Sequence, residues 1–265
     1  MDIDWRLTGK ADVLRIRADM IQSIRRFFLD QGFLECETPL RIPAPAPETH
    51  IDAVASGEWF LQTSPELCMK RLLAAGHPKL FQICKCFRAG ERGAFHLPEF
   101  TMLEWYRAGV DYHTLMDDCE DLIVRVAGDL GLGDTVSWQE KRIALPPPWE
   151  RITVHEAFAR HAGLSVDEAL RRDCFDETMA CAVEPHLGMD RPVFLYEYPA
   201  ELGALARVNA VNPAVAERFE LYAAGLELAN AFSELTDPAE QRRRFEKASR
   251  DRLLNNCAAY PLPER

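Results

Sequence analysis

The chain has 265 residues, 48% of them hydrophobic, and carries a net charge of −11. That length buries one large core or two modest ones, and the negative balance argues against a protein whose main affinity comes from neutralising phosphates, duplex DNA above all. No apolar run approaches the ~20 residues a bilayer-spanning helix needs, so no membrane association is expected.

The first ten residues, MDIDWRLTGK, place two acids early and have no apolar stretch, which does not match a secretory signal. Residues Asp12 to Asp30 read as an amphipathic helix with Met20, Ile21, Ile24, Phe27 and Phe28 on one stripe. Gly32 ends it, and FLECETP follows as a short strand stopped at Pro39. The alternating prolines of RIPAPAPETHIDAV exclude a helix or central strand and predict a loop. Trp59 to Gln62 reads as a strand. A helix then starts with Ser64 as N-cap and Pro65 at the first helical position, continuing through Leu67, Arg71 and Leu72. On this pattern alone, Glu66 is a first-turn acid favoured by the helix dipole.

Residues Leu80 to Arg107 read as two strands joined by a long polar loop. Phe81, Ile83 and Phe87 alternate with Gln82, Cys84, Cys86 and Arg88. In the second strand Phe100, Met102, Glu104 and Tyr106 share one face. Glu104 puts a charge among apolar neighbours, and a buried carboxylate requires a partner. Arg88 is the cation nearest along the hairpin, so an Arg88–Glu104 pair is expected, structural or functional.

Asp111 to Leu130 is a further helix with Leu115, Leu122, Ile123 and Val126. LPPPWE, Leu145 to Glu150, reads as a rigid linker, and Arg151 to Val154 leads into a helix through His155 and Glu156. The acidic stretch from Leu164 to Met189 shows no motif, and no histidine spacing suggests a metal triad. Val193 to Tyr198 is a strand ending at Pro199. Phe219 to Ala223 and Leu226 to Phe232 form a hairpin if Ala224-Gly225 is a two-residue turn. Tyr222 then faces Glu227, with Glu220 a diagonal neighbour on the same face. Two such acids are either solvated or bridged by a cation, for which magnesium is suited. Asp237 to Glu240 starts a last helix with a capping-box pattern, and its arginines read as a solvated face. The eight cysteines form no CxxC pair and read as buried thiols of a reduced, cytoplasmic protein. The chain has no GxxxxGK[ST] or GxGxxG, so any nucleotide is bound without a glycine phosphate loop.

Phe87-Arg88, a Gly-containing loop and HLPEFTMLEWY together resemble motif 2 of the class II aminoacyl-tRNA synthetases. The wording FTMLEWY is similar to the lysyl branch and to the elongation factor P–(R)-β-lysine ligases. These are lysyl-tRNA synthetase paralogues that keep the catalytic domain and lack the anticodon-binding domain. The resemblance runs from about Asp12 to Arg252. It implies an α+β fold, a class II antiparallel sheet flanked by helices, with residues 1–265 as a single catalytic domain. Helix, Gly32, strand and Pro39 resemble motif 1, which implies a homodimer.

The implied reaction activates lysine or (R)-β-lysine with ATP as an adenylate and passes the acyl group to a lysine of elongation factor P, tRNA not being the expected acceptor. By family role, Arg88 contacts the α-phosphate and substrate carboxylate as the catalytic residue, and Glu91, His96 and Phe100 complete the ATP contacts. Glu220 and Glu227 hold Mg²⁺. Glu66 of TSPE, with Glu104, Tyr106, Asn230, Phe232 and Glu234, forms an acidic slot for a diamino acid.

The chain also departs from the family pattern. Ala89 and Gly90 replace the Asn and Glu after the motif 2 arginine, with Glu91 one position late; Leu97 replaces an Asn; and Ala229 and Ala231 replace glycines around Asn230. The Gly-rich motif 3 strand does not follow the last helix, so the expectation is either a sequence truncated before it or a chain that has lost that element. A lysyl-tRNA synthetase core and a degenerate, non-catalytic paralogue that binds an amino acid or a protein are the competing readings.

Overall fold

The computed structural model describes residues 9–264, so the reading of MDIDWRLTGK lies largely outside the described residues. Packing divides the chain into two compact units, Met1–Phe27 with Val110–Glu234, and Phe28–Gly109 with Leu235–Arg265. Helix α1 (Ala11–Asp30) belongs to both, and Gly32 stops it at φ +78°, a left-handed conformation that costs glycine little.

The second unit is built on the hairpin β5 (Lys79–Phe87) and β6 (Glu99–Arg107), paired antiparallel from Lys79↔Arg107 to Phe87↔Glu99. The short β1 (Leu34–Glu35) adds a parallel edge to β5. Strand alternation sends Phe81 to one side, where its ring stacks on Phe28 at 4.9 Å and Trp105 tilts against Phe28 at 5.4 Å. Helix α2 (Glu66–Ala74) packs through the fully buried Met69 against Leu80 and Tyr106. Its start differs from the expected cap: Pro65 occupies the N-cap position, and Ser64 Oγ accepts from the Glu66 N–H at 3.3 Å.

Three short strands, β2 (Arg41–Ile42), β3 (Ala55–Ser56) and β4 (Trp59–Leu61), form a small sheet in the order β2-β4-β3. The proline-rich loop therefore begins in a two-residue strand, because Arg41 and Ile42 precede the first proline and can still pair with Leu61 and Phe60.

The final helix, labelled α7 below (Pro238–Leu254), is capped by Asp237, which accepts from the Ala239 and Glu240 N–H groups. The expected capping box is incomplete, since Glu240 turns to Arg243 and Arg244 instead. Nor are all its arginines solvated. Arg252 is 0% exposed and donates to the carbonyls of Glu48, Ile51 and Ala258, to Asp52 and to the Tyr260 hydroxyl.

The first unit carries a four-stranded sheet in the order β12-β11-β10-β9, made of β9 (Glu150–Thr153), β10 (Val193–Pro199), β11 (Val215–Ala223) and β12 (Leu226–Phe232). β9 runs parallel to β10, and the other pairs are antiparallel. The β11–β12 turn is Ala224-Gly225 with φ of +58° and +78°, the double positive φ of a type I′ hairpin. Helix α3 (Tyr112–Asp129) is capped by Asp111, whose carboxylate accepts from His113 and Thr114. A separate hairpin joins β7 (Thr135–Trp138) and β8 (Lys141–Ala144).

Leu145 to Glu150 is no free linker: Leu145 and Trp149 are both buried, and the Trp149 indole donates to the Leu145 carbonyl at 2.8 Å. Past it, α4 (Val154–His161), α5 (Val166–Arg171) and α6 (Phe175–Thr178) cover one sheet face through Phe158, Val166, Phe175 and Leu195. Leu164 to Met189, silent in the sequence, thus supplies much of this core.

Candidate functional site

In the second unit, strand period and register place Gln82, Cys84 and Cys86 of β5 opposite Glu104, Met102 and Phe100 of β6. The expected shared face is present. The expected Arg88–Glu104 pair is not. Arg88 leaves the end of β5, donates Nε to the Thr63 carbonyl at 3.4 Å, lies 5.2 Å over the Phe100 ring and stands 3.9 Å from Glu91. Its strand position carries the guanidinium towards the end of the hairpin, away from Glu104.

Glu104 accepts a hydrogen bond from the Tyr106 hydroxyl at 2.8 Å. Burial first, and then the Glu66 carboxylate, push its pKa up to about 8; Tyr106 and Lys70 oppose that shift. Lys70, one helical turn beyond Glu66, ion-pairs with it at 2.5 Å. Among the described residues, two carboxylates thus share one environment with Lys70, which pairs with the first of them and only partly offsets the charge at Glu104. Lys70 was not singled out from the sequence, although its i, i+4 spacing from Glu66 is legible. His96 lies in the exposed loop between β5 and β6. An open cavity of about 280 Å³ lies at the start of α2, lined by Ile42, Thr63, Ser64, Leu67 and Arg71; Glu66 and Glu104 do not line it.

In the first unit, Glu220 is the centre. Its Oε1 accepts from Arg218 at 2.5 Å and Asn230 at 3.2 Å, and its Oε2 from Tyr198 at 2.5 Å and Tyr222 at 2.6 Å. Tyr222 also sits 3.3 Å from Glu184. Burial, and after it the neighbouring ionisable groups, Glu220 among them, raise Tyr198 and Tyr222, so both remain donors. Arg218 could have been found by its period-2 position before Glu220; Tyr198 and Glu184 carry no local signal. Tyr222 faces Glu227 as expected. Glu227 is exposed, and its charge reaches Tyr198. Asn230 pairs directly with Glu220, and Phe232 with Arg218, while Glu234 forms an isolated bridge with Ala206.

A carboxylate with four donors, one of them an arginine, has no oxygen lone pair directed at an open position. Glu220, filled by these four donors, does not fit Mg²⁺ as arranged; Arg218 supplies the positive charge there. Among the described residues no cluster of three or more His, Cys, Asp or Glu could hold a metal. Among them too, no helix is long and apolar enough to cross a membrane. All eight cysteines are free; Cys86 and Cys119 are buried, whereas Cys181 is exposed, so buried thiols were only part of the picture.

The family model "tRNA synthetases class II (D, K and N)" matches residues 2–258. The chain is 40% identical over 99% of its length to the elongation factor P–(R)-beta-lysine ligase of Hamiltonella defensa subsp. Acyrthosiphon pisum (strain 5AT), covering 84% of that protein. It is 39% identical to the protein of the same name from Edwardsiella ictaluri (strain 93-146), over 98% of this chain and 85% of the relative. The ligase of Pectobacterium carotovorum subsp. carotovorum (strain PC1) is 40% identical over the same shares. With a mixed helix and sheet architecture and a match across both units, the chain belongs to the class II tRNA synthetase family, as an ATP-using ligase of α+β fold similar to the elongation factor P–(R)-beta-lysine ligases.

Proposed function

We propose that this chain activates lysine or (R)-β-lysine with ATP and transfers the acyl group to a lysine side chain of elongation factor P. The observation that carries this reading is Glu104, a half-buried carboxylate beside a second acid and without a full countercharge. Such a group is costly in the free protein and is relieved by an incoming ammonium. A diamino substrate supplies that ammonium, and a neutral amino acid does not. The names of the relatives, each a ligase of (R)-beta-lysine, support the same choice.

In this reading one oxygen of the substrate carboxylate attacks the α-phosphorus, pyrophosphate leaves, and the mixed anhydride is then opened by the acceptor amine with loss of AMP. The enzyme supplies no nucleophile; it aligns the two reactants and stabilises charge at phosphorus. Arg88 has this role, with its guanidinium over Phe100, the ring proposed to stack on adenine. Glu91 and His96 are assigned to the nucleotide, Glu66, Glu104 and Tyr106 to the amine, and Asn230, Phe232 and Glu234 to the rest of the slot. The family match across both units supports one catalytic domain, and the apolar residues Val13, Leu14 and Ile16 exposed on α1 support a homodimer. Eight free thiols support a reducing, cytoplasmic setting. Pyrophosphate exchange is the test: exchange dependent on lysine or (R)-β-lysine, followed by mass gain on elongation factor P, is expected. Exchange with neither amino acid overturns the reading.

A further inference from the structure

On the face of the β5–β6 hairpin that also carries Glu104 and Phe100, three sulfurs lie together that the reaction above does not use. Cys84 and Cys86 are two apart on one strand, so both thiols leave by the same face, and their sulfurs are 3.9 Å apart. Met102 is the direct cross-strand partner of Cys84, and its Sδ is 3.9 Å from the Cys86 sulfur. Cys86 is fully buried, while Cys84 and Met102 are half-buried, so the group is reachable from one side.

We propose that Cys84, Cys86 and Met102 form a binding site for a soft monovalent cation of the copper(I) class. Metal–sulfur bonds of about 2.3 Å in a trigonal plane hold their sulfurs ~4 Å apart, which the two spacings from Cys86 already match. Two thiols and a thioether favour a soft ion over magnesium or calcium, and a thioether is a poor ligand for zinc. Binding follows Cu⁺ + 2 RSH → [Cu(SR)₂]⁻ + 2 H⁺, with the thioether as a neutral third donor and no change of oxidation state. The Gln62 amide donates to the Cys84 sulfur at 3.3 Å and to the Lys85 carbonyl at 2.9 Å, which orients the thiolate that such a complex requires. The hydrogen bond between the two thiols lowers Cys84 and, together with burial, raises Cys86, so Cys84 ionises first and Cys86 gives up its proton only to the ion. A disulfide is the weaker use of this pair: residues two apart along a strand have Cα atoms ~6.6 Å apart, at the outer limit of disulfide geometry.

The site is independent of the substrate reading, because the ion would bind whatever the enzyme activates. The experiment is an anaerobic titration of the reduced full chain with copper(I) against bathocuproine disulfonate, followed by the chelator's absorbance. The expected result is one copper(I) withdrawn per wild-type chain, with at least tenfold weaker retention in Cys86→Ser and in Met102→Leu, and no change in the exposed-thiol control Cys181→Ser. Met102→Leu conserves volume and decides the matter if Cys86→Ser does not fold. No copper withdrawn by the wild type, or equal retention in Met102→Leu, overturns the site.

Discussion

Glu104 and Glu220 both lie on hairpin strands, the first on the outer strand of its sheet and the second on an inner one, and both are set among protein groups, yet the chain treats them in opposite ways. Glu220 is surrounded by four donors, including an arginine. Glu104 has one tyrosine hydroxyl and faces a second carboxylate, and its pKa rises to about 8. A satisfied carboxylate holds a fold together; an unsatisfied one stores a demand for a cation. The difference distinguishes an acid kept for structure from an acid kept for a ligand.

The most damaging way to break the comparison is Glu220→Gln. It leaves Arg218 without its ion-pair partner in a largely buried position and is expected to cost about 3 kcal/mol, read as a lower denaturant midpoint. Arg88→Ala, by contrast, should leave the midpoint within about 0.5 kcal/mol of wild type and reduce pyrophosphate exchange about a hundredfold, since its contacts are one long hydrogen bond to the Thr63 carbonyl, the face of the Phe100 ring and a 3.9 Å approach to Glu91.

Glu104→Gln sharpens the contrast through pH. With its folded pKa above its unfolded value, native Glu104 holds a proton that the unfolded chain has lost between about pH 4.5 and 8. Stability therefore falls as pH rises through that window, by at most about 1.4 kcal/mol per unit, and the Gln variant should flatten this slope in urea melts. Binding of the substrate ammonium should release a proton near pH 7, measured calorimetrically in buffers of different ionisation enthalpy, and Gln should abolish the release. The smallest effect is expected from Tyr106→Phe: removing the one hydrogen bond to Glu104 should weaken amine binding about fivefold with little change in turnover.

The hairpin was legible because side chains alternate with period 2 and because Glu104 breaks an apolar face. The partner of that glutamate was not legible. Proximity along the hairpin suggested Arg88, but strand direction carries the guanidinium to Thr63, and the groups that set Glu104's state arrive from α2, which no local pattern of β6 encodes. In the β11–β12 hairpin the two-residue turn at Ala224-Gly225 and the Tyr222–Glu227 pairing were legible, but the register shift beyond Leu221 that sets Glu220 opposite Asn230 was not. The saturation of Glu220 depended on Tyr198, a strand away, and so lay beyond pattern reading. Trp149 and Arg252 mislead for a shared reason: proline runs and basic helices are usually solvated, and only tertiary packing shows when one member turns inward.

Arg252 has one further consequence. Its guanidinium fastens the proline-rich segment by the carbonyls of Glu48 and Ile51, as well as by Asp52, with no exposed surface of its own. Main-chain dipoles gripped out of reach of solvent ions are not weakened by added electrolyte as surface charge pairs are. The carbonyl grip on this arm is therefore the part indifferent to ionic strength, while the pair to the half-exposed Asp52 is not, and a lysine, with one compact head in place of a planar fork, could not grip as many points at once.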